Sequence, residues 1–187
     1  MPSLSPVSKA TLNVIGQTGC VNQMHVVVMG PSGVGKTHIG QLLATELAVP
    51  FFDADDLHSP EAIAHMAAGE PLDDAMREPW LERVGETLAV APTVIACSAL
   101  KRHYRDTLRT YVPGAFFVEL DAPADVIAAR IDWRDGHFMS ANLLESQLAT
   151  LEHLGLDENG IRIDATWIDT EIVELAVAMV RAGGALD

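Results

Sequence analysis

Short apolar runs alternate along this chain with segments whose apolar residues recur every three or four positions. The runs His25–Met29, Phe51–Asp53, Thr93–Cys97, Phe116–Leu120 and Ile161–Ile163 read as buried strands bounded by turn residues. Segments near 36–47, 59–68, 77–90, 101–110, 123–131, 140–153 and 170–182 read as helices. In the first of these, Ile39, Leu42, Leu43 and Leu47 share one face. Strands alternating with helices predict an α/β fold, a parallel sheet covered on both faces. Two helical segments lie between the second and third strands, more than a crossover requires, and that insertion is the natural place to hold a second substrate. The polar stretch from Asp132 to Ser140, with Gly136 and His137 between two helices, reads as a lid. Residues 1–23 stand outside the pattern. They read as a loosely ordered extension, or else translation begins at Met24, one residue before the first strand. The layout is therefore an extension over 1–23 and one domain over 24–187, with a substrate-binding region at about 55–90 and a lid at about 132–140.

The junction of the first strand and first helix carries the clearest chemistry. Gly30-Pro31-Ser32-Gly33-Val34-Gly35-Lys36-Thr37 has the spacing G-x-x-x-x-G-K-[ST] of a phosphate-binding loop, in the strand–turn–helix context that such a loop needs. Its glycines let backbone N–H groups turn inward, and the helix N-terminus adds a positive dipole end. Gly30, Ser32, Gly33, Val34, Gly35, Lys36 and Thr37 are thus expected to bind a nucleoside triphosphate. Lys36 would reach the β- and γ-phosphates, and the Thr37 hydroxyl would help to hold Mg²⁺.

Composition narrows the partners. A chain of 187 residues with a formal charge of −14 can bury a real core and offers a poor surface to nucleic acid. No stretch is long and apolar enough to span a membrane, and the first residues make a poor signal peptide. Cys20 and Cys97 are far apart and lack metal-ligand spacing, so a reduced, buried Cys97 and a cytoplasmic location are expected.

Four further clusters carry candidate chemistry. Asp53, Asp55 and Asp56 follow the second strand, with His58 close behind; parallel strands deliver active residues at their C-terminal ends. One carboxylate there, Asp53, would order Mg²⁺ and another, Asp55, would meet the acceptor hydroxyl. Arg77 follows Asp73 and Asp74, and either grips a substrate carboxylate or pairs with one of those aspartates. Ser98 opens the helix after the third strand as a candidate cap, and Lys101 and Arg105, four apart on one face, suggest anion binding. Arg130, Arg134, Gly136 and His137 mark the lid, where an arginine can stabilise a transferring phosphoryl group.

Taken together these stretches resemble the small P-loop gluconokinases, relatives of the shikimate and nucleoside monophosphate kinases. The resemblance rests on the phosphate loop; on Phe51-Phe52-Asp53-Ala54-Asp55-Asp56-Leu57-His58; on Pro71-Leu72 through Arg77 and Pro79-Trp80-Leu81; on Cys97-Ser98-Ala99-Leu100-Lys101 with Tyr104-Arg105-Asp106; and on Arg134-Asp135-Gly136-His137-Phe138 with Gln147 and Thr150-Leu151-Glu152. It implies a three-layer fold with a five-stranded parallel sheet in the order 2-3-1-4-5. It implies transfer of the ATP γ-phosphate to the terminal hydroxyl of a sugar acid, as from D-gluconate to 6-phosphogluconate. On that analogy Lys36, Asp55 and Arg134 are catalytic, Arg130 lies near the adenine, and His58, Arg77, Lys101, Arg105 and His137 join Asp55 around the acceptor. A homodimer is also implied. The chain departs from the family's usual residues at Ala54 (Gly), Ser59 (Pro), Ala62 (Asn), His65 (Lys), Asp73 (Asn), Met76 (Asp) and Leu154 (Pro). These changes gather on the acceptor side and leave room for another aldonate or a shikimate-like acid. The competing class is a nucleotide-binding sensor without an acceptor; retention of Asp55, Arg77 and Arg134 counts against it.

Overall fold

The computed structural model describes residues 24–132 and 141–183, with side chains from 144 onward in the second stretch. The extension 1–23 and most of the expected lid, including Arg134 and His137, lie outside the described residues.

Strands β1 (His25–Met29), β2 (Phe51–Asp53), β3 (Thr93–Ala96), β4 (Phe116–Asp121) and β5 (Gly160–Asp164) form one sheet in the order β2-β3-β1-β4-β5. Each pairing between neighbours is parallel. The helices are α1 (Lys36–Leu47), α2 (Pro60–Ala67), α3 (Asp74–Val90), α4 (Arg102–Tyr111), α5 (Ala124–Asp132), α6 (Ala141–Thr150) and α7 (Asp169–Gly183). Sheet order, strands and helices match the reading of the sequence, with shifts at element ends.

The central strand β1 is apolar and fully enclosed after His25, as a strand covered on both faces must be. Its side chains alternate between two cores. Val26 and Val28 pack with Ile39, Leu43 and Leu47 of α1, Ile127 of α5, Leu144 of α6, and Ile172, Val173 and Val180 of α7. Val27 and Met29 pack on the opposite face with Trp80, Leu81, Val84 and Leu88 of α3 and with Tyr104 and Leu108 of α4. The result is three layers, with α1 and α7 on one side of the sheet and α3 and α4 on the other. Burying a valine completely stabilises the fold by about 2 kcal/mol, so β1 anchors both layers.

Several ends differ from expectation for identifiable reasons. α3 begins at Asp74, because the Asp73 side chain accepts from the Met76 N–H at 2.8 Å and caps the helix before Arg77. That start leaves Pro79 inside α3. Ser59, not a proline, caps α2 by accepting from Ala62 N at 3.2 Å, with Pro60 in the first turn. Ser98 does not cap α4. Its carbonyl accepts from Gly30 N at 3.3 Å, and the N-cap position belongs to Lys101. The missing cap is supplied from far away, by Glu152 Oε2, which accepts from Arg102 N at 2.6 Å.

Candidate active site

The C-terminal ends of the strands share one edge, and the phosphate loop rises from β1 at its centre. Gly30 (φ 137°) and Gly33 (φ 83°) adopt left-handed conformations that disfavour a side chain. A Cβ on Gly30 would lie 2.6 Å from the Leu120 carbonyl oxygen, and one on Gly33 would lie 2.5 Å from Ile131 Cγ1. Both glycines therefore serve close packing as well as loop curvature. Gly35 is the N-cap of α1 and offers no side chain to its first-turn amides. Those donors, with the helix dipole behind them, face the loop and suit an anion.

Lys36 folds over the loop and donates from Nζ to the Pro31 carbonyl at 3.0 Å. Thr37 Oγ1 donates to Asp53 Oδ2 at 2.7 Å, joining the head of α1 to the end of β2. The other oxygen, Asp53 Oδ1, accepts from Asp55 N at 3.1 Å and caps a short 3-10 turn over Ala54–Leu57. One aspartate thus fixes the threonine hydroxyl and the turn that presents Asp55. The hydroxyl and carboxylate expected to share Mg²⁺ are adjacent, and their oxygen donors suit a hard cation. Arg130 spans the loop's far side, donating to Val34 O at 2.9 Å and to Ala165 O, after β5, at 2.7 Å.

The region expected to face the acceptor is built around α3. Trp80 is buried and donates from Nε1 to Ala54 O at 2.7 Å, while Arg83 Nε donates to Leu57 O at 2.8 Å. Both bonds hold the Asp55 turn from below. His58 stacks on Trp80 with ring centroids 4.5 Å apart and an 8° tilt. Burial lowers its pKa below the ordinary histidine value; Asp55 opposes this shift, and Arg77 and Arg83 reinforce it. Its Nδ1 is buried without a hydrogen-bond partner among the described residues. Arg77 pairs with neither Asp73 nor Asp74: its Nε donates to Leu72 O at 3.1 Å, and its guanidinium lies 5.8 Å from the Tyr104 ring centroid. Lys101 donates to both Asp74 oxygens, at 2.7 and 2.9 Å, and Tyr104 OH donates to the same carboxylate. The Lys101 and Tyr104 bonds hold the Asp74 carboxyl below its usual range. Cys97 is enclosed, and burial pushes its thiol up to about 12.

Arg105 requires a correction. It shares a helix face with Lys101, but that position is fully buried. Its Nε and Nη2 donate to Glu158 at 2.8 and 2.7 Å, and its Nη1 donates to the carbonyls of Ala99, Leu100 and Glu152. A guanidinium so occupied has nothing left for a substrate carboxylate, and Arg105 instead braces the turn after β3. Within that turn Ala99 holds φ 40°, a left-handed conformation that costs an alanine roughly 1–2 kcal/mol. The Arg105–Ala99 bond helps to maintain it.

Two contributors escaped the sequence. Trp80 reads as simple packing, although its indole N–H also holds the turn that presents Asp55. Gln147, on α6, accepts from Ser32 N at 2.8 Å across 115 residues. The departures acquire partners as well: His65 pairs with Glu70 at 3.2 Å. Leu154 N, a donor that proline would lack, donates at 2.8 Å to the fully buried Glu119.

A family model described as shikimate kinase matches residues 32–155. The gluconokinase of Gluconobacter oxydans (strain 621H) is 46% identical over 143 residues, covering 74% of this chain and 80% of that protein. The thermoresistant gluconokinase of Escherichia coli (strain K12) is 41% identical over 142 residues, covering 73% and 81%. The crystal structure of a gluconokinase from Sinorhizobium meliloti 1021 superposes with a TM-score of 0.81 at 42% identity, covering 87% of this chain and 94% of that one. With this loop, this strand order and relatives that match over most of their own length, the chain belongs to the gluconokinases, kinases of the P-loop shikimate kinase fold.

Proposed function

We propose that the chain transfers the γ-phosphoryl group of ATP to the terminal hydroxyl of D-gluconate, giving 6-phospho-D-gluconate and ADP. The observation that carries this reading is Asp53, which binds Thr37 beneath the phosphate loop and caps the turn bearing Asp55. Donor and acceptor chemistry meet on that one side chain. The acceptor oxygen forms a bond to the γ-phosphorus as the bond to the β–γ bridging oxygen breaks. Asp55 orients the hydroxyl and takes its proton; a loose transition state asks little more of a base. Lys36 and the loop amides stabilise charge on the transferring group. Thr37 and Asp53 would hold Mg²⁺ against the phosphates, where the ion supplies further charge neutralisation.

His58, Arg77 and Lys101 complete the acceptor side in this reading, within a substrate region at about 55–90. His58, stacked on Trp80 beside the Asp55 turn, borders the acceptor, and Arg77 suits the acid's carboxylate. Arg134 and His137 belong to the lid of the same scheme, and Arg130 to the adenine end. A homodimer in the cytoplasm is part of the proposal. Among the described residues no helix is long and apolar enough to cross a membrane.

The test is ADP release from Mg-ATP against D-gluconate, other aldonates, shikimate and nucleoside monophosphates. Strong turnover with gluconate alone is the expected result. Preference for another acid would make Ala62, His65, Asp73 and Met76 the specificity positions. ATP binding without turnover on any acceptor would replace the kinase reading with a sensor.

A further inference from the structure

The phosphate loop is gripped by a side chain from the other end of the domain. Ser32 N donates to Gln147 Oε1 at 2.8 Å, and Gln147 Nε2 donates to Ser32 Oγ at 3.4 Å. The first bond fixes the carboxamide's orientation, because a backbone N–H can only meet an acceptor. The amino group is thereby turned toward Ser32 Oγ, and it keeps a second hydrogen beyond the one directed there.

The position along the loop decides what that hydrogen can reach. Lys36 Nζ, the cation expected at the β- and γ-phosphates, rests on Pro31 O, one peptide from Ser32. The Pro31–Ser32 end of the loop, where the Lys36 ammonium rests, is therefore assigned to the terminal phosphate, while the backbone amides from Gly35 onward lie at the head of α1. The segment after α6 is also tied to the acceptor side. Glu152 N donates to Leu100 O at 2.8 Å, and Glu152 Oε2 accepts from Arg102 N. A glutamine here is held between the loop that carries the donor and the turn that borders the acceptor.

We propose that Gln147 is a ligand-binding residue for phosphoryl transfer, holding Ser32 through Oε1 and donating from Nε2 to the terminal phosphate of ATP. The inference rests on the loop being an ATP site and adds the residue that distinguishes triphosphate from diphosphate. Three substitutions separate this role from a purely structural tie between α6 and the loop. Gln147→Glu keeps an acceptor for Ser32 N, removes the amide donor and sets a negative charge beside the phosphates. Gln147→Ala removes both groups, and Gln147→Met keeps the length without polarity.

The measurements are KM for ATP with the sugar acid saturating, and dissociation constants for ADP and a non-hydrolysable ATP analogue, with melting curves for each variant. Gln147→Ala and Gln147→Met should weaken the triphosphate about tenfold, the scale of one charge-assisted hydrogen bond, and ADP much less. Gln147→Glu should be worse than Gln147→Ala, by about a further tenfold. A structural tie predicts the reverse order, with Gln147→Glu equal to or better than Gln147→Ala. That order, or equal losses for the ATP analogue and ADP, would overturn the assignment. If Gln147→Glu does not fold, the triphosphate-to-diphosphate ratio in the other two variants decides the matter alone. Failure of the parent chain to bind ATP would remove the nucleotide reading itself, a distinct outcome visible before any variant is made.

Discussion

Asp53 binds Thr37 Oγ1 with one oxygen and the Asp55 N–H with the other, so neutralising Asp53 would disturb two functions together. Lys36 and Asp55 separate them. Lys36→Ala should cut turnover by at least about a hundredfold through lost phosphate contact, while urea denaturation shows little change. Asp55 is exposed, and Asp55→Asn should retain ATP affinity and lose transfer to the acceptor; steady-state kinetics beside nucleotide titration would distinguish these. A fully active Asp55→Asn enzyme would reduce Asp55 to a turn residue. The loop itself was legible because its pattern is local: glycines, lysine and threonine stand together between one strand and one helix. Arg105 was misread because spacing reports a shared helix face and not which way the face points. Gln147 and Trp80 were illegible as site residues because their partners, Ser32 and Ala54, lie far off in sequence and bond through backbone atoms that leave no side-chain signature.

Among the elements, the segment from Leu151 to Glu158 has no regular structure of its own yet organises its neighbours. Glu152 caps α4, and Glu119 of β4 accepts from His153 Nδ1 and Leu154 N. Glu158 accepts from Arg105, Arg109 and the Gly155 amide. Burial pushes the Glu158 carboxyl up, but the bonds from Arg105, Gly155 and Arg109 outweigh it and hold it at about 2, against an ordinary 4.5. A depressed carboxyl contributes stability that is complete above its unfolded value and lost as pH falls through the folded one. The window here runs from about pH 4.5 down to about 2. Glu158→Gln, which leaves the buried Arg105 unpaired, should cost about 3 kcal/mol near neutrality. Urea melts at pH 7 and pH 3 should show that deficit shrinking in acid; a constant deficit would assign it to packing. The strand and helix centres were readable from periodicity, whereas caps such as Glu152 on α4 were not, since the capping oxygen arrives from fifty residues downstream.

At the scale of the whole molecule, the phosphate loop rises from the central strand of the sheet, so occupation of a nucleotide site there should stabilise the entire fold. Mg-ATP at a hundred times its dissociation constant should add about 2.7 kcal/mol, read as a raised melting temperature. The Lys36→Ala protein should lose most of that shift, and equal shifts in both would show that the stabilising site is not the loop. The sheet order followed from the gluconokinase resemblance, and alternation of strands with helices supplied the layering without it. The pleat of β1 carries a further consequence for how such a chain can change over time. Val26 and Val28 report only to the layer of α1 and α7, while Val27 and Met29 report only to that of α3 and α4. Each layer can therefore repack with little effect on the other, the two meeting at one strand. Substitutions at Ala62, His65 or Met76, which belong to neither buried cluster, can accordingly be accommodated without disturbing the packing beneath the phosphate loop.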